Sequence, residues 1–319
     1  TEGIGPVAAA RLVQHEGGVE AAVRASAALL ARLLGPRRGP RIHARLQRVD
    51  PDRVCRQADA LGQRILTPVD ADWPHERFQG LVDPPLVLFL RGDVPPPSVP
   101  TAAIVGTRGA GPYGLRHARR LAEGLARQGF WIVSGLALGI DGVAHHGALA
   151  AGGRSVGVLG CGIDVPYPIE HLDLKDQLAQ DGGVLSEHPP GTRPRAPFFP
   201  RRNRLVAALA QVVVVVEAPW GSGALITARS AADQGRVVLA VPGPVTAPNH
   251  RGSHQLLKRQ EAGLCEDVRD VLEALEVSPR SAAPSGEPAP RSAPPSGPPL
   301  AVWTVLEEAE TVDLETLAR

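Results

Sequence analysis

Five valines in a row, residues 212–216, stand between Gln211 and Glu217. A β-branched run of this kind favours extended backbone. With no polar residue at alternate positions, such a strand has to be covered on both faces, as in a parallel sheet layered between helices. Further apolar runs lie at 102–105, 131–133, 156–159, 184–185 and 237–241. Helix-length patterns separate them, among them 114–128, 142–151 and 224–234. Strands alternating with helices predict an α/β fold with a Rossmann-like, doubly wound and mostly parallel sheet.

The 319-residue chain is long enough for two or three domains. Residues 1–50 are rich in Ala and Leu at helical spacing, through Ala9, Leu12 and Val13, and predict a small helical module ahead of the sheet. Its opening Gly3-Ile4-Gly5-Pro6 has the form of a helix-hairpin-helix turn, which can offer backbone N–H groups to phosphates or serve only to pack helices. Residues 51–100, with Trp73-Pro74 and Asp83-Pro84-Pro85, read as a connection whose apolar strand at 86–90 enters the main domain, 101–277. A Pro/Ser/Ala-rich linker is expected over 278–299, followed by a helical stretch, 300–319, too short to be a domain unaided.

Net charge is +1, so any surface for a polyanion must be local. The only lysines are Lys175 and Lys258, and arginine supplies the remaining positive charge. Cys55, Cys161 and Cys265 are far apart and odd in number, which argues against a disulfide framework or a zinc site and suits a reducing cytoplasm. No apolar run is long enough to span a membrane and no secretory leader pattern opens the chain. The sequence contains no Met, so Thr1 is not expected to be the native start.

In an open α/β sheet, ligands bind beyond the carboxyl ends of the strands. The apolar runs lead into Gly106-Thr107-Arg108-Gly109, Ser134-Gly135-Leu136-Ala137-Leu138-Gly139, Gly160-Cys161-Gly162, Ser186-Glu187, Gly221-Ser222-Gly223 and Pro242-Gly243. Small residues admit a ligand close to the backbone, and helix N-termini there favour anions. Several such turns in a row suit a chain of phosphates. Arg193, Arg195, Arg201, Arg202 and Arg204 form a basic cluster around Phe198, Phe199 and Asn203, with no acidic residue between Glu187 and Glu217. Guanidinium groups beside aromatic rings are the expected surface for single-stranded nucleic acid.

Enzymatic readings find less support. There is no G-x-x-x-x-G-K-[ST] phosphate loop, and the glycines at 106, 109 and 111 do not have dinucleotide spacing, so no cofactor is expected. Asp141 and His145 have the spacing of an acid–base pair, but Asp141 reads as a helix N-cap with His145 packed beneath it. Cys161 has no base beside it in the sequence. Glu217 reads as a loop organiser, accepting N–H bonds near Gly221, Ser222 and Gly223.

Taken in order, Gly106-Thr107-Arg108, the stretch 134–141 with Ala144-His145, Tyr167-Pro168, Ser186-Glu187, Phe199-Pro200-Arg201-Arg202-Asn203-Arg204, Val216-Glu217-Ala218, the stretch 222–228 and Val241-Pro242-Gly243 resemble the DprA/Smf family. The resemblance implies a non-catalytic, cytoplasmic protein that binds incoming single-stranded DNA in natural transformation, protects it and loads the RecA recombinase. It further implies a homodimer, possible contact with single-strand-binding protein, no metal, an N-terminal module like sterile-alpha-motif domains, and a C-terminal winged helix of which 300–319 is only the start. Carried onto this chain, Gly106, Thr107, Arg108, Ser134, Gly135, Leu136, Gly139, Arg195, Phe199, Arg201, Arg202, Asn203, Arg204, Gly221, Ser222, Gly223 and Lys258 are the expected DNA-binding residues. Leu138, Gly221 and Ala224 depart from the family pattern, which has Arg, Arg and Ser there. The alternative is an enzyme of the nucleotide phosphoribohydrolase type, which the loop from Pro219 to Gly223 disfavours because it lacks the acidic pair.

Overall fold

A computed structural model describes residues 6–17, 19–48 and 50–278. The Gly3-Ile4-Gly5 turn, all but Ser278 of the expected linker, and the stretch 300–319 lie outside the described residues.

Nine strands form one sheet: β1 (Arg64–Leu66), β2 (Leu88–Gly92), β3 (Thr101–Val105), β4 (Trp131–Ser134), β5 (Ser155–Leu159), β6 (Gly182–Ser186), β7 (Val212–Val215), β8 (Val237–Ala240) and β9 (Gly263–Leu264). Their order is β1-β2-β6-β5-β4-β3-β7-β8-β9. The strands from β3 to β9 pair in parallel, whereas β2 lies antiparallel to both β1 and β6. The chain builds outward from β3 through β4, β5 and β6, then returns to place β7 on the other side of β3. The turns after β3 and β7 therefore part company, and this reversal of winding is where such sheets open a crevice.

The valine run shows why the sheet is layered. Val212, Val214 and Val216 pack into one core and Val213 and Val215 into the other, since successive strand residues point to opposite faces. The first core includes α7 (Pro112–Arg127), α8 (Ile140–Ala150) and α13 (Val268–Ala274), and the second α10 (Phe198–Leu209), α11 (Gly223–Asp233) and α12 (Arg251–Lys258). The helix α9 (Leu172–Gln180) contributes Leu174 and Leu178 to a third cluster with Phe89, Leu136 and Cys161.

One expectation is corrected here. Residues 51–100 are more than a connection. They carry α5 (Pro51–Ala60), β1, α6 (His75–Phe78) and β2, and so add two strands to the sheet itself. Buried Arg77 fastens this stretch, donating to the carbonyls of Pro96 and Val99 and to Thr101 Oγ1, each at 2.7 Å. Burial pushes its pKa down to about 10, which leaves it charged at neutral pH. The basic cluster, moreover, is helical from Phe198 onward, with its arginines on α10 set at 100° steps.

The helices that precede the sheet are α1 (Pro6–Glu16), α2 (Val19–Val23), α3 (Ala27–Leu34) and α4 (Arg38–Leu46), around Leu12, Ala22, Ala25, Leu30 and Ile42. Ser26 caps α3, accepting from Leu29 N at 3.2 Å. Gly39 lets α4 approach α3 closely, since a Cβ there would lie 2.2 Å from Ala31 N.

Candidate functional site

A crevice opens beyond the carboxyl ends of β3, β4 and β7 and has two lobes. One, of about 340 Å³, is bounded by Gly106, Thr107, Arg108, Asn203, Ser222, Gly223 and Thr227. The other, of about 330 Å³, is bounded by Leu136, Leu138, Gly160, Cys161, Tyr167 and Ile169. Arg108, Gly135, Ala137, Phe199 and Arg202 border both. Each lobe has the volume of a small-ligand site.

The divider is a stacked pair. The exposed guanidinium of Arg108 lies 5.3 Å from the centroid of the Phe199 ring, and Tyr167 flanks that ring at 5.5 Å. A cation over a ring face is held by the ring quadrupole. A nucleobase could take the same face, and the guanidinium would remain to meet a phosphate.

Arg202 forms the floor. It is 6% exposed, and its Nη1 donates to the carbonyls of Gly135 and Val158. Its Nε donates to Asn203 Oδ1 at 3.1 Å, and Asn203 Nδ2 donates to Gly223 O at 3.2 Å. One chain of bonds thus joins the turn after β4 to the N-terminus of α11. Gly135 is required there because a Cβ would sit 2.6 Å from the guanidinium. Asp141 Oδ2 accepts from Gly135 N at 3.0 Å and Ala137 N at 3.4 Å, holding the same turn from the other side. Burial pushes the Asp141 carboxyl up, and Arg202 opposes that shift.

Several expected site residues take other places. Arg202 borders both lobes of the crevice, and through Nη1 and Nε it also holds the turn after β4. Arg204 is buried and bound by Glu187, at 2.7 and 2.8 Å, and by Asp83 at 2.9 Å. It does not border the crevice, because Asp83 and Glu187, distant in sequence, fold against it. Ser134 is fully buried and donates to Ile104 O at 2.6 Å. Gly139, at φ 77°, abuts the carbonyls of Thr107 and Arg108 and supports that turn from behind. Arg195 lies over Phe198 at 5.9 Å, and Phe198 in turn stacks on His188 at 4.3 Å. Arg201 is exposed on α10. Gly221 borders a different cleft beside α11, and Lys258 another beside α12; both clefts adjoin exposed Trp220.

The titratable candidates are also placed. Gly139, not Asp141, is the N-cap of α8. His145 is buried against Ser155 Oγ at 2.7 Å, and burial pushes its pKa down to about 3, so it is neutral. Cys161 is pushed up to about 11 by burial and stays a thiol. Glu217 does organise a loop, but a different one: its carboxylate oxygens accept from Gly111 N at 3.1 and 3.2 Å, at the start of α7. Tyr167 and Ala137 join the site without having been singled out as binding residues. Tyr167 stood within a family motif, but its facing Phe199 depends on a contact across 32 residues that no local pattern encodes.

A doubly wound sheet with glycine turns and an arginine–aromatic pair at its switch point defines a Rossmann-like ligand-binding class. Within that class, the family model described as "DNA recombination-mediator protein A" matches residues 64–276, and the chain belongs to this family. It is 42% identical over 276 residues to the putative DNA processing protein DprA of Mycobacterium tuberculosis H37Rv, covering 83% of this chain and 70% of the relative. It is 42% identical over 199 residues to the Bacillus subtilis DNA processing protein DprA, covering 62% and 67%. Among solved structures it resembles DprA of Streptococcus pneumoniae, at a TM-score of 0.74 and 31% identity over 84% of this chain and 92% of that one. It also resembles the Helicobacter pylori protein, whose structure was described for its single-stranded DNA binding mode, at 0.60 and 31% over 67% and 95%. Among the described residues, no helix is long and apolar enough to cross a membrane.

Proposed function

We propose that the crevice binds single-stranded DNA and that the protein is a cytoplasmic, non-catalytic recombination mediator in transformation, handing the strand to a RecA-type recombinase. The observation that carries this reading is Arg108 over Phe199 between two lobes, a phosphate donor and a base platform at one point. Gly106, Thr107, Ser222 and Gly223 supply close backbone and the positive end of α11 on one side. Leu136, Leu138 and Tyr167 supply an apolar lobe for a base on the other. The H. pylori relative supports the choice of ligand. The neutral His145 and the protonated Cys161 support a binding role over catalysis. Exposed Trp220, Ile226 and Val245 around the outer clefts support a homodimer through that side.

Titration of a labelled single strand and its duplex at two salt concentrations tests the reading. The short single strand is expected to bind more tightly. Arg108→Ala is expected to weaken it roughly tenfold and to lower the logarithmic salt slope by about 0.7, the loss of one phosphate contact. Unchanged affinity and slope would reject the crevice. Stimulation of recombinase filament growth on single strands coated with single-strand-binding protein tests the mediator role, and its absence would reject that part.

A further inference from the structure

The crevice is not the only arginine surface. Between Glu20 and Asp50 the sequence has no acidic residue, yet it holds Arg24, Arg32, Arg37, Arg38, Arg41, Arg45 and Arg48. Five of these lie on or beside α4, and all five are exposed. The fold determines which way they face. Gly39 and Ile42 are buried against α3, with Gly39 touching the α3 backbone, and His43 is anchored to Ala25 O at 3.0 Å. At 3.6 residues per turn, Arg38, Arg41 and Arg45 then fall within about 60° of one another, away from that contact. Arg37 and Arg48 continue the row from the flanking turns, so the stripe runs for about 16 Å at 1.5 Å per residue.

The chemistry of this stripe differs from that of the crevice. The first Phe, Trp or Tyr of the chain is Trp73, and the two histidines of the helical module, His15 and His43, are engaged by Glu16 and by Ala25 O. Arginines without a neighbouring ring platform offer hydrogen-bond forks and charge to phosphate oxygens, contacts that do not require the bases to be unpaired. The nearest acidic side chain following the stripe, Asp50, is committed to capping α5 through Arg53 N at 3.0 Å, with Arg56 at 3.8 Å. We propose that the exposed face of α4 is a second nucleic-acid site, which takes the phosphate backbone of duplex DNA. A protein with both sites would hold a strand in the crevice while resting on adjacent duplex.

The test uses the whole chain with Arg37, Arg41 and Arg48 changed together to Gln, and a blunt duplex of about two helical turns as the probe. Binding is expected to weaken at least tenfold at low salt, and the logarithmic salt slope to fall by about 2 to 3, near 0.9 for each lost contact. The same three positions changed to Lys are expected to retain affinity within about threefold, since a point charge still meets phosphate. A short oligothymidylate that fits the crevice alone is expected to bind the Gln variant as it binds the wild type. Conversely, Arg108→Ala is expected to weaken the oligothymidylate roughly tenfold and keep the duplex, so failure of the crevice reading and failure of this one are distinguishable. Wild-type duplex affinity and slope in the Gln variant would overturn the proposal. So would binding of anionic phospholipid vesicles in preference to the duplex, which would assign the stripe to a membrane surface.

Discussion

In and behind the crevice, arginine is divided between two tasks. Arg202 is buried and bonded to carbonyls, Arg204 is buried between carboxylates, and Arg108 is the exposed member, resting on a ring. On and beside α4, by contrast, Arg37, Arg41 and Arg48 are all exposed, and no Phe, Trp or Tyr is within the module. The same residue type thus builds a shaped receptor in one region and a plain charged face in the other. The difference follows from what surrounds each guanidinium. Where backbone carbonyls or carboxylates converge from distant strands, arginine becomes structure; where a helix face meets water, Arg37, Arg41 and Arg48 stay exposed.

The largest expected effect tests the structural half of that contrast. Arg202→Ala removes a buried cation from the carbonyls of Gly135 and Val158 and leaves Asp141 without its compensating charge. Buried polar groups stripped of partners cost about 1–3 kcal/mol each, and uncompensated buried charges more. A loss of about 3 kcal/mol or more of unfolding free energy is expected, read by urea denaturation followed by tryptophan fluorescence. The Arg37, Arg41 and Arg48 substitutions are expected to stay within about 0.5 kcal/mol of wild type in the same assay. Similar losses in both would mean that buried and exposed arginines do not divide as described.

Acid sharpens the contrast next. His145 on α8 is fully buried, with Nδ1 on Ser155 and Nε2 without a partner, and burial pushes its pKa down to about 3. An unfolded histidine titrates near 6.5, so the unfolded chain takes up a proton that the folded one refuses. The stability associated with His145 is complete above pH 6.5 and is lost as pH falls toward 3. At pH 5 the loss is about 2 kcal/mol from 1.5 pH intervals at 1.36 kcal/mol each. His117, His146, His188 and His250, likewise shifted downward by burial, add to it. Denaturation at pH 7 and pH 5 measures the slope, and His145→Gln is expected to reduce it by up to one proton. An unchanged slope in that variant would place the acid sensitivity elsewhere.

The two regions also differ in how far they can be read from sequence. The sheet is legible because burial on both faces leaves an unbroken apolar run: the five valines already imply the layers that Val213 and Val214 enter from opposite sides. The glycine turns are legible because strand tips in such folds are ligand sites. What stays hidden depends on long-range approach. Nothing near Arg204 announces Asp83 or Glu187, so a run of arginines without acidic neighbours looked uniformly free. Nothing near Glu217 indicates that Gly111, rather than Gly221, supplies its N–H. Strand β1 and the antiparallel pairing of β2, whose apolar run at 86–90 was itself legible, were hidden for the same reason: an antiparallel edge added by a Pro-rich segment has no helix-alternating rhythm to reveal it.

The smallest effect is the most discriminating, because it separates stacking from charge. Phe199→Leu keeps an apolar side chain against Tyr167 but removes the flat face shared by Arg108 and a base. Stacking of a base on a ring contributes about 1–3 kcal/mol, so affinity for a short single strand is expected to fall about tenfold. The number of phosphate contacts is unchanged, so the salt slope is expected to stay at its wild-type value. The α4 variant shows the reverse signature toward duplex, a shallower slope with no ring involved. If Phe199→Leu instead flattened the salt dependence, the ring would be acting only as a support for Arg108, and the crevice would be a charged face of the same kind as α4.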